Sequence, residues 1–199
     1  MEQRGPYVGR PCTLGLETYA VAVIGGGIAG LSAALFLARA SISVVVYDRH
    51  ESSLFRVSRV NNYVGFPQGV GGAELIELGR RQALRFGAVL RDEDVTTVRR
   101  TGEMFSLTTT GEPSEAEYLV LASNKRTDIA RSLGLELGGH GARFVNADAN
   151  GQTSIDRLYA AGRITGIPSQ ANISAGDGAK VAIAIIERIR GGYYVDHDT

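Results

Sequence analysis

Apolar residues along this chain follow two rhythms, and each rhythm predicts a different kind of element. Tyr19 to Ile24 is a continuous apolar run with no polar face, the pattern of a strand buried on both sides of a parallel sheet. Three glycines follow, and Ile28 to Ala40, rich in Ala and Leu, reads as a helix. Ser43 to Tyr47 is a β-branched run that ends at Asp48, completing a strand–helix–strand unit. Asp48 to Gly72 reads as loop. Over Ala73 to Phe86, Leu75, Ile76, Gly79, Ala83 and Phe86 share one helical face and Gly87 stops the helix. Arg80, Arg81 and Arg85 fall largely off that face and read as its wet side. Residues 88–122 alternate in short bursts split by turn residues, which predicts a β-meander returning into a sheet strand at Tyr118 to Ala122. Short strands are expected at Ala142 to Asn146 and Arg157 to Ala161. A last helix is expected from near Gly176 to Gly178 through Arg190, with Val181, Ala182, Ile185, Ile186 and Ile189 inward.

This order of elements defines an α/β chain: a Rossmann-like parallel sheet with helices, plus a β-meander. Residues 1–18 lack periodicity and read as a tail or a loosely docked arm. Residues 19–192 read as one folded domain, and 193–199 as a second tail.

Charge and composition narrow the function by exclusion. Lys plus Arg equals Asp plus Glu, 21 of each, so nothing global attracts nucleic acid or an anionic membrane. No stretch is apolar enough to span a bilayer, and the first residues lack a signal-peptide core, so a cytoplasmic protein is expected. The single cysteine, Cys12, permits neither an internal disulfide nor a C-x-x-C redox pair. His140 and His197 show no metal spacing, and His50 reads as a solvated loop residue, with a place near a bound adenine as the other reading.

One motif carries chemistry. Gly25-x-Gly27-x-x-Gly30 sits between a strand and a helix, where a tight turn, close approach of a pyrophosphate and close helix packing each need glycine. Ile28 and Ala29 open the helix, whose free N–H groups and positive end favour phosphates. Asp48, followed by Arg49, closes the second strand at the spacing expected of a ribose-binding carboxylate. The motif alone does not separate FAD from NAD.

Two further stretches stand out: Val60-Asn61-Asn62-Tyr63-Val64-Gly65-Phe66-Pro67 with Gly72-Ala73-Glu74-Leu75, and Thr153-Ser154-Ile155, Leu158-Tyr159-Ala160-Ala161-Gly162, Gln170-Ala171 and Ala175-Gly176-Asp177-Gly178. On these segments the chain resembles the thioredoxin reductases of the pyridine nucleotide-disulfide oxidoreductase family. The resemblance implies FAD as the cofactor, with Asn62, Tyr63, Gly162, Arg163, Gln170, Ala171, Asp177 and Gly178 serving its pyrophosphate, ribityl chain and ring. A Tyr63 packed on the core is the other reading of that residue.

Where the family inserts a nicotinamide domain bearing C-x-x-C, this chain passes from Ala122 to the C-terminal flavin segment with no second G-x-G-x-x-G. The chain also has Ala122-Ser123-Asn124 where the family has Ala-Thr-Gly, and Gly162-Arg163 where it has Gly-Asp. Arg163 is a candidate to pair with the pyrophosphate directly. The function implied is a small FAD-dependent oxidoreductase, reduced by an external small-molecule or protein donor and passing electrons to an unknown acceptor through flavin N5. No catalytic residue stands out. A homodimer is implied by resemblance only. The alternatives are a non-catalytic flavin-binding or degenerate subunit of a larger assembly, and an NAD-binding Rossmann protein.

Overall fold

The computed structural model describes residue 7 and residues 16–195. Cys12 and His197 lie outside the described residues, as do most positions read as an N-terminal tail. Tyr7 is described and is docked: its backbone pairs with Ser41 and Ser43, and its hydroxyl donates to Glu117.

In chain order the elements are β1 (Glu17–Ile24), α1 (Ile28–Arg39), β2 (Val44–Tyr47), a 3-10 turn (Ser53–Arg56), α2 (Gly72–Arg85) and β3 (Val89–Arg91). Next come β4 (Val95–Thr101), β5 (Met104–Thr109), β6 (Ser114–Leu121), α3 (Asp128–Ser132), β7 (Leu137–Gly138) and β8 (Phe144–Val145). The chain ends through β9 (Leu158–Ala160), a second 3-10 turn (Gly162–Thr165) and α4 (Ala171–Arg190).

The main sheet runs β3-β2-β1-β6-β5-β4, with β9 also paired to β6. Strands β3, β2, β1, β6 and β9 are parallel neighbours in register, Val23 lying between Val46 and Val120. Within this sheet only β5 runs opposite to the rest, antiparallel to both β4 and β6, and it pairs with the first half of β6 while β9 pairs with its second half.

Three expectations change. The first burst of the expected meander, β3, joins the parallel edge beside β2, because the α2 crossover returns the chain in the same direction. β6 begins at Ser114, four residues ahead of Tyr118, because its outer half serves the meander. The last helix begins at Ala171, capped by Gln170, and not near Gly176 to Gly178. Glycines inside a helix are poor local signals, and here tertiary contact overrides their propensity.

Side chains of the sheet alternate between two cores. On one face Val21, Val23, Val44, Val46 and Val120 meet Ala33, Ala34 and Leu37 of α1 and Val181, Ile185 and Ile186 of α4. On the other, Ala22, Ile24, Val45, Tyr47, Leu119 and Leu121 meet Phe105 and Leu107 of the meander, with Ile129, Val145 and Ile164. This layering holds the N-termini of α1 and α4 at the carboxyl end of β1. There β1 is flanked by β2 on one side and by β6 on the other, the topological switch point where open α/β sheets bind ligands.

Candidate functional site

A cleft of about 1040 Å³, counting its open mouth, lies at that switch point. Gly25 to Ala29 form its floor. Its walls include Arg163, Gln170, Ala171 and Ser174 from the C-terminal part of the chain, and Asp48, Arg49, Glu51, Asp94, Asn124 and Arg126 from the loops after β2, before β4 and after β6.

The glycines do distinct work. Gly25 has φ +112° and a Cβ there would lie 2.5 Å from the Ala122 carbonyl oxygen, so both conformation and contact exclude a side chain. A Cβ on Gly30 would lie 1.9 Å from the Gly25 carbonyl oxygen, which closes the turn against the helix. Gly27 alone opens outward: its nearest neighbour would be Ser52 Oγ at 3.7 Å. Gly27 also caps α1 without a side-chain hydrogen bond, and the first turn holds no acidic residue. The first intrahelical bond is Leu31 N–H to the Gly27 carbonyl, so the amides of Ile28, Ala29 and Gly30 have no carbonyl behind them. A dinucleotide's pyrophosphate suits that uncapped, uncharged N-terminus.

Asp48 is 5% exposed. Its Oδ1 accepts from the Gly26 and His50 amides, each at 3.2 Å. Its Oδ2 is buried with no hydrogen-bond donor, the nearest cations being Arg80 Nη1 at 3.6 Å and His50 Nδ1 at 3.8 Å. An unbonded buried carboxylate oxygen is costly, which leaves Asp48, a lining residue of the cleft, short of one hydrogen-bond donor. Arg80 is therefore more than the wet side of α2. Its side chain is 16% exposed and donates to Asp92 at 2.8 Å while facing Asp48. Burial opposes ionisation of Asp92, but the Arg80 hydrogen bond and charge, joined by His50, hold its pKa below the usual carboxylate value. His50 sits outside the cleft on Asp92 at 2.9 Å, half exposed, as a loop histidine.

At the opposite end α4 begins at Ala171 with no acidic residue in its first turn. Asn62 donates to Gln170 Oε1 at 2.9 Å, and Asn172 donates to the Asn62 carbonyl at 3.4 Å. Asn62 thus acts on the cleft through Gln170. Tyr63 packs edge-on to Phe66, with ring centroids 5.9 Å apart, in a small cluster around Val60, Val70 and Leu75. Burial raises its hydroxyl pKa.

Of the remaining residues expected at the ring, Arg163 lines the cleft but turns its guanidinium away from the Gly25 turn. It donates to the Ile167 carbonyl at 2.9 Å and lies over the Phe144 ring at 5.2 Å. Asp177 accepts from the Gly162 amide at 2.7 Å and pairs with Lys180. Gly178 lies within α4 where a Cβ would meet the Ala29 carbonyl oxygen at 2.0 Å, so its role is to let α1 and α4 touch. Sequence pattern missed Ser52, Asp94 and Arg126 as cleft residues. Each lies in a loop within five residues of a strand end, a signal that becomes specific once the strand order is known.

These features fit an adenine dinucleotide, and comparison with known proteins agrees. The FAD dependent oxidoreductase family (DAO) matches residues 20–62. The bifunctional thioredoxin reductase/thioredoxin of Mycobacterium leprae is 43% identical over 105 residues, covering 51% of this chain and 23% of that protein. Thioredoxin reductase of Mycolicibacterium smegmatis is 38% identical over 117 residues, covering 58% and 37%. The structure of a thioredoxin reductase from Gloeobacter violaceus superposes with a TM-score of 0.82 at 19% identity, spanning 92% of this chain and 98% of that one. The chain thus covers less than two-fifths of the length of these two curated relatives.

The fold is the Rossmann type seen in that solved structure, and residues 20–62 are similar to the FAD dependent oxidoreductase family. Over a little more than half of its length the chain is similar in sequence to thioredoxin reductases. Between β6 and β9 it carries only α3 and the β7–β8 hairpin, with no second dinucleotide fold.

Proposed function

We propose that this chain holds FAD in the cleft and works as a small oxidoreductase whose reducing equivalents come from an external donor. The observation that carries this reading is one continuous cleft joining the Gly25 turn and α1 N-terminus to the α4 N-terminus. In that reading the amides of Ile28, Ala29 and Gly30 hold the pyrophosphate, and the Asp48 carboxylate takes a ribose hydroxyl. Gln170, fixed by Asn62, presents the positive end of α4 to the ring, which favours negative charge there. When bound, FAD supplies hydride or single-electron transfer at its N5 atom. The single cysteine leaves no dithiol in these 199 residues to take the electrons, and in this reading the acceptor lies outside them.

The test is the visible absorption spectrum of the purified protein, with chromatography of whatever heat releases. A yellow protein releasing FAD supports the reading. Anaerobic titration with NADH, NADPH and a reduced one-electron carrier then identifies the class of donor. A colourless protein that takes up no added FAD sinks the flavin reading.

A further inference from the structure

At one wall of the cleft, three loops that are distant in sequence converge on one carboxylate. Asp94, just before β4, accepts from Arg49 beyond β2 at 3.3 Å and from Arg126 beyond β6. Arg126 is fixed at each of its nitrogens: Nε donates to both oxygens of Asp128 at 2.7 and 2.9 Å, Nη1 to Asp94, and Nη2 to the Val95 carbonyl at 3.2 Å. Arg49, Asp94 and Arg126 all line the cleft, as does Asp48, the chain neighbour of Arg49.

Immobilising an arginine in every direction costs side-chain entropy, and partly exposed ion pairs return little stability. The arrangement does make a planar guanidinium rigid at a cavity wall, which is what stacking on an aromatic ring requires. The local charge balance also selects among ligands. Arg49 and Arg126 face Asp94, Asp128 and Glu51, so the pocket end has no surplus positive charge for a phosphate group.

We infer that Arg126, held in plane by Asp94 and Asp128, stacks on the purine of the bound cofactor and makes this cleft select FAD over FMN. Arg126 is the ligand-contacting residue, and Asp94 is a positioning residue that also ties Arg49 to the same wall. The inference rests on the FAD reading above and extends it to the residues that set nucleotide specificity.

The test compares FAD and FMN on the flavin-stripped full chain, by quenching of flavin fluorescence. Replacing Arg126→Met is expected to weaken FAD binding about tenfold, the order of one lost base–side-chain stack, and to leave FMN binding within about twofold. Asp94→Asn, nearly isosteric, moves FAD binding in the same direction and serves should Arg126→Met fold poorly. Arg126→Lys keeps the charge but not the plane and is expected to behave like Arg126→Met. Equal losses for FAD and FMN, no loss for FAD, or full rescue by lysine would each overturn the stacking clamp. If the unmodified protein binds neither flavin, the cofactor reading itself falls, a result distinct from any loss of selectivity.

Discussion

Replacing Gly178→Ala puts a methyl group where an ideal Cβ would lie 2.0 Å from the Ala29 carbonyl oxygen and 3.1 Å from its Cα. Backbone atoms cannot rotate out of the way. A carbon–oxygen contact needs roughly 3.3 Å, so α1 and α4 must part by about 1.3 Å along their contact. Overpacking of this kind costs about 1 to 3 kcal/mol. At this chain length a loss of about 2 kcal/mol lowers Tm by about 4 to 8 °C. The displacement also shifts the first turn of α1, so FAD retention is expected to fall in the same variant. Gly176→Ala is the matched comparison. Its Cβ would meet nothing within 4 Å, and alanine is the better helix former by up to about 1 kcal/mol. Melting curves by circular dichroism, with and without FAD, should therefore move in opposite directions for the two variants. If Gly178→Ala melts with the parent, or if both variants shift alike, the close helix contact does not explain Gly178.

Two further expectations concern pH. Burial raises the pKa of Tyr47, Tyr63, Tyr118 and Tyr159, and takes Tyr19 up to about 12, where burial is joined by its hydrogen bond to Glu17. A raised folded value means the stabilisation is complete below about pH 10 and is lost as pH rises through the folded pKa. Phenolate absorbance should therefore lag in alkali and rise together with loss of near-UV circular dichroism; full ionisation near pH 10 in an intact fold would contradict this. Asp156 is held below the usual carboxylate value, first by its hydrogen bond from Arg188 and against a smaller cost of burial. Its contribution is present above the unfolded pKa and is lost as pH falls through the lower folded one. Asp156 is half exposed, so the effect is small. Arg188→Met should flatten the acid limb of a urea-midpoint profile below about pH 4; parallel profiles would count against the pair.

What the sequence determined by itself was the part of the molecule built from neighbours along the chain. The β1–α1–β2 unit was legible because its strands are unbroken apolar runs and its glycines fall where turn, ligand approach and helix packing forbid a side chain. Asp48 was legible because the end of β2 sits a fixed distance from the turn, whatever the rest of the chain does. The last helix was legible in its inward residues, which alternate by helical period, but not in its start. Local propensity places glycine at helix ends, whereas Gly178 is there for Ala29, a contact made across the fold. Only the tertiary structure decided that Arg80 faces Asp48, that Arg163 turns onto the Ile167 carbonyl, and that Arg49, Asp94 and Arg126 meet at one wall. Those partners are brought together by strand order. Strand order depends on which buried faces fit one another across the whole sheet, so no window of sequence contains it.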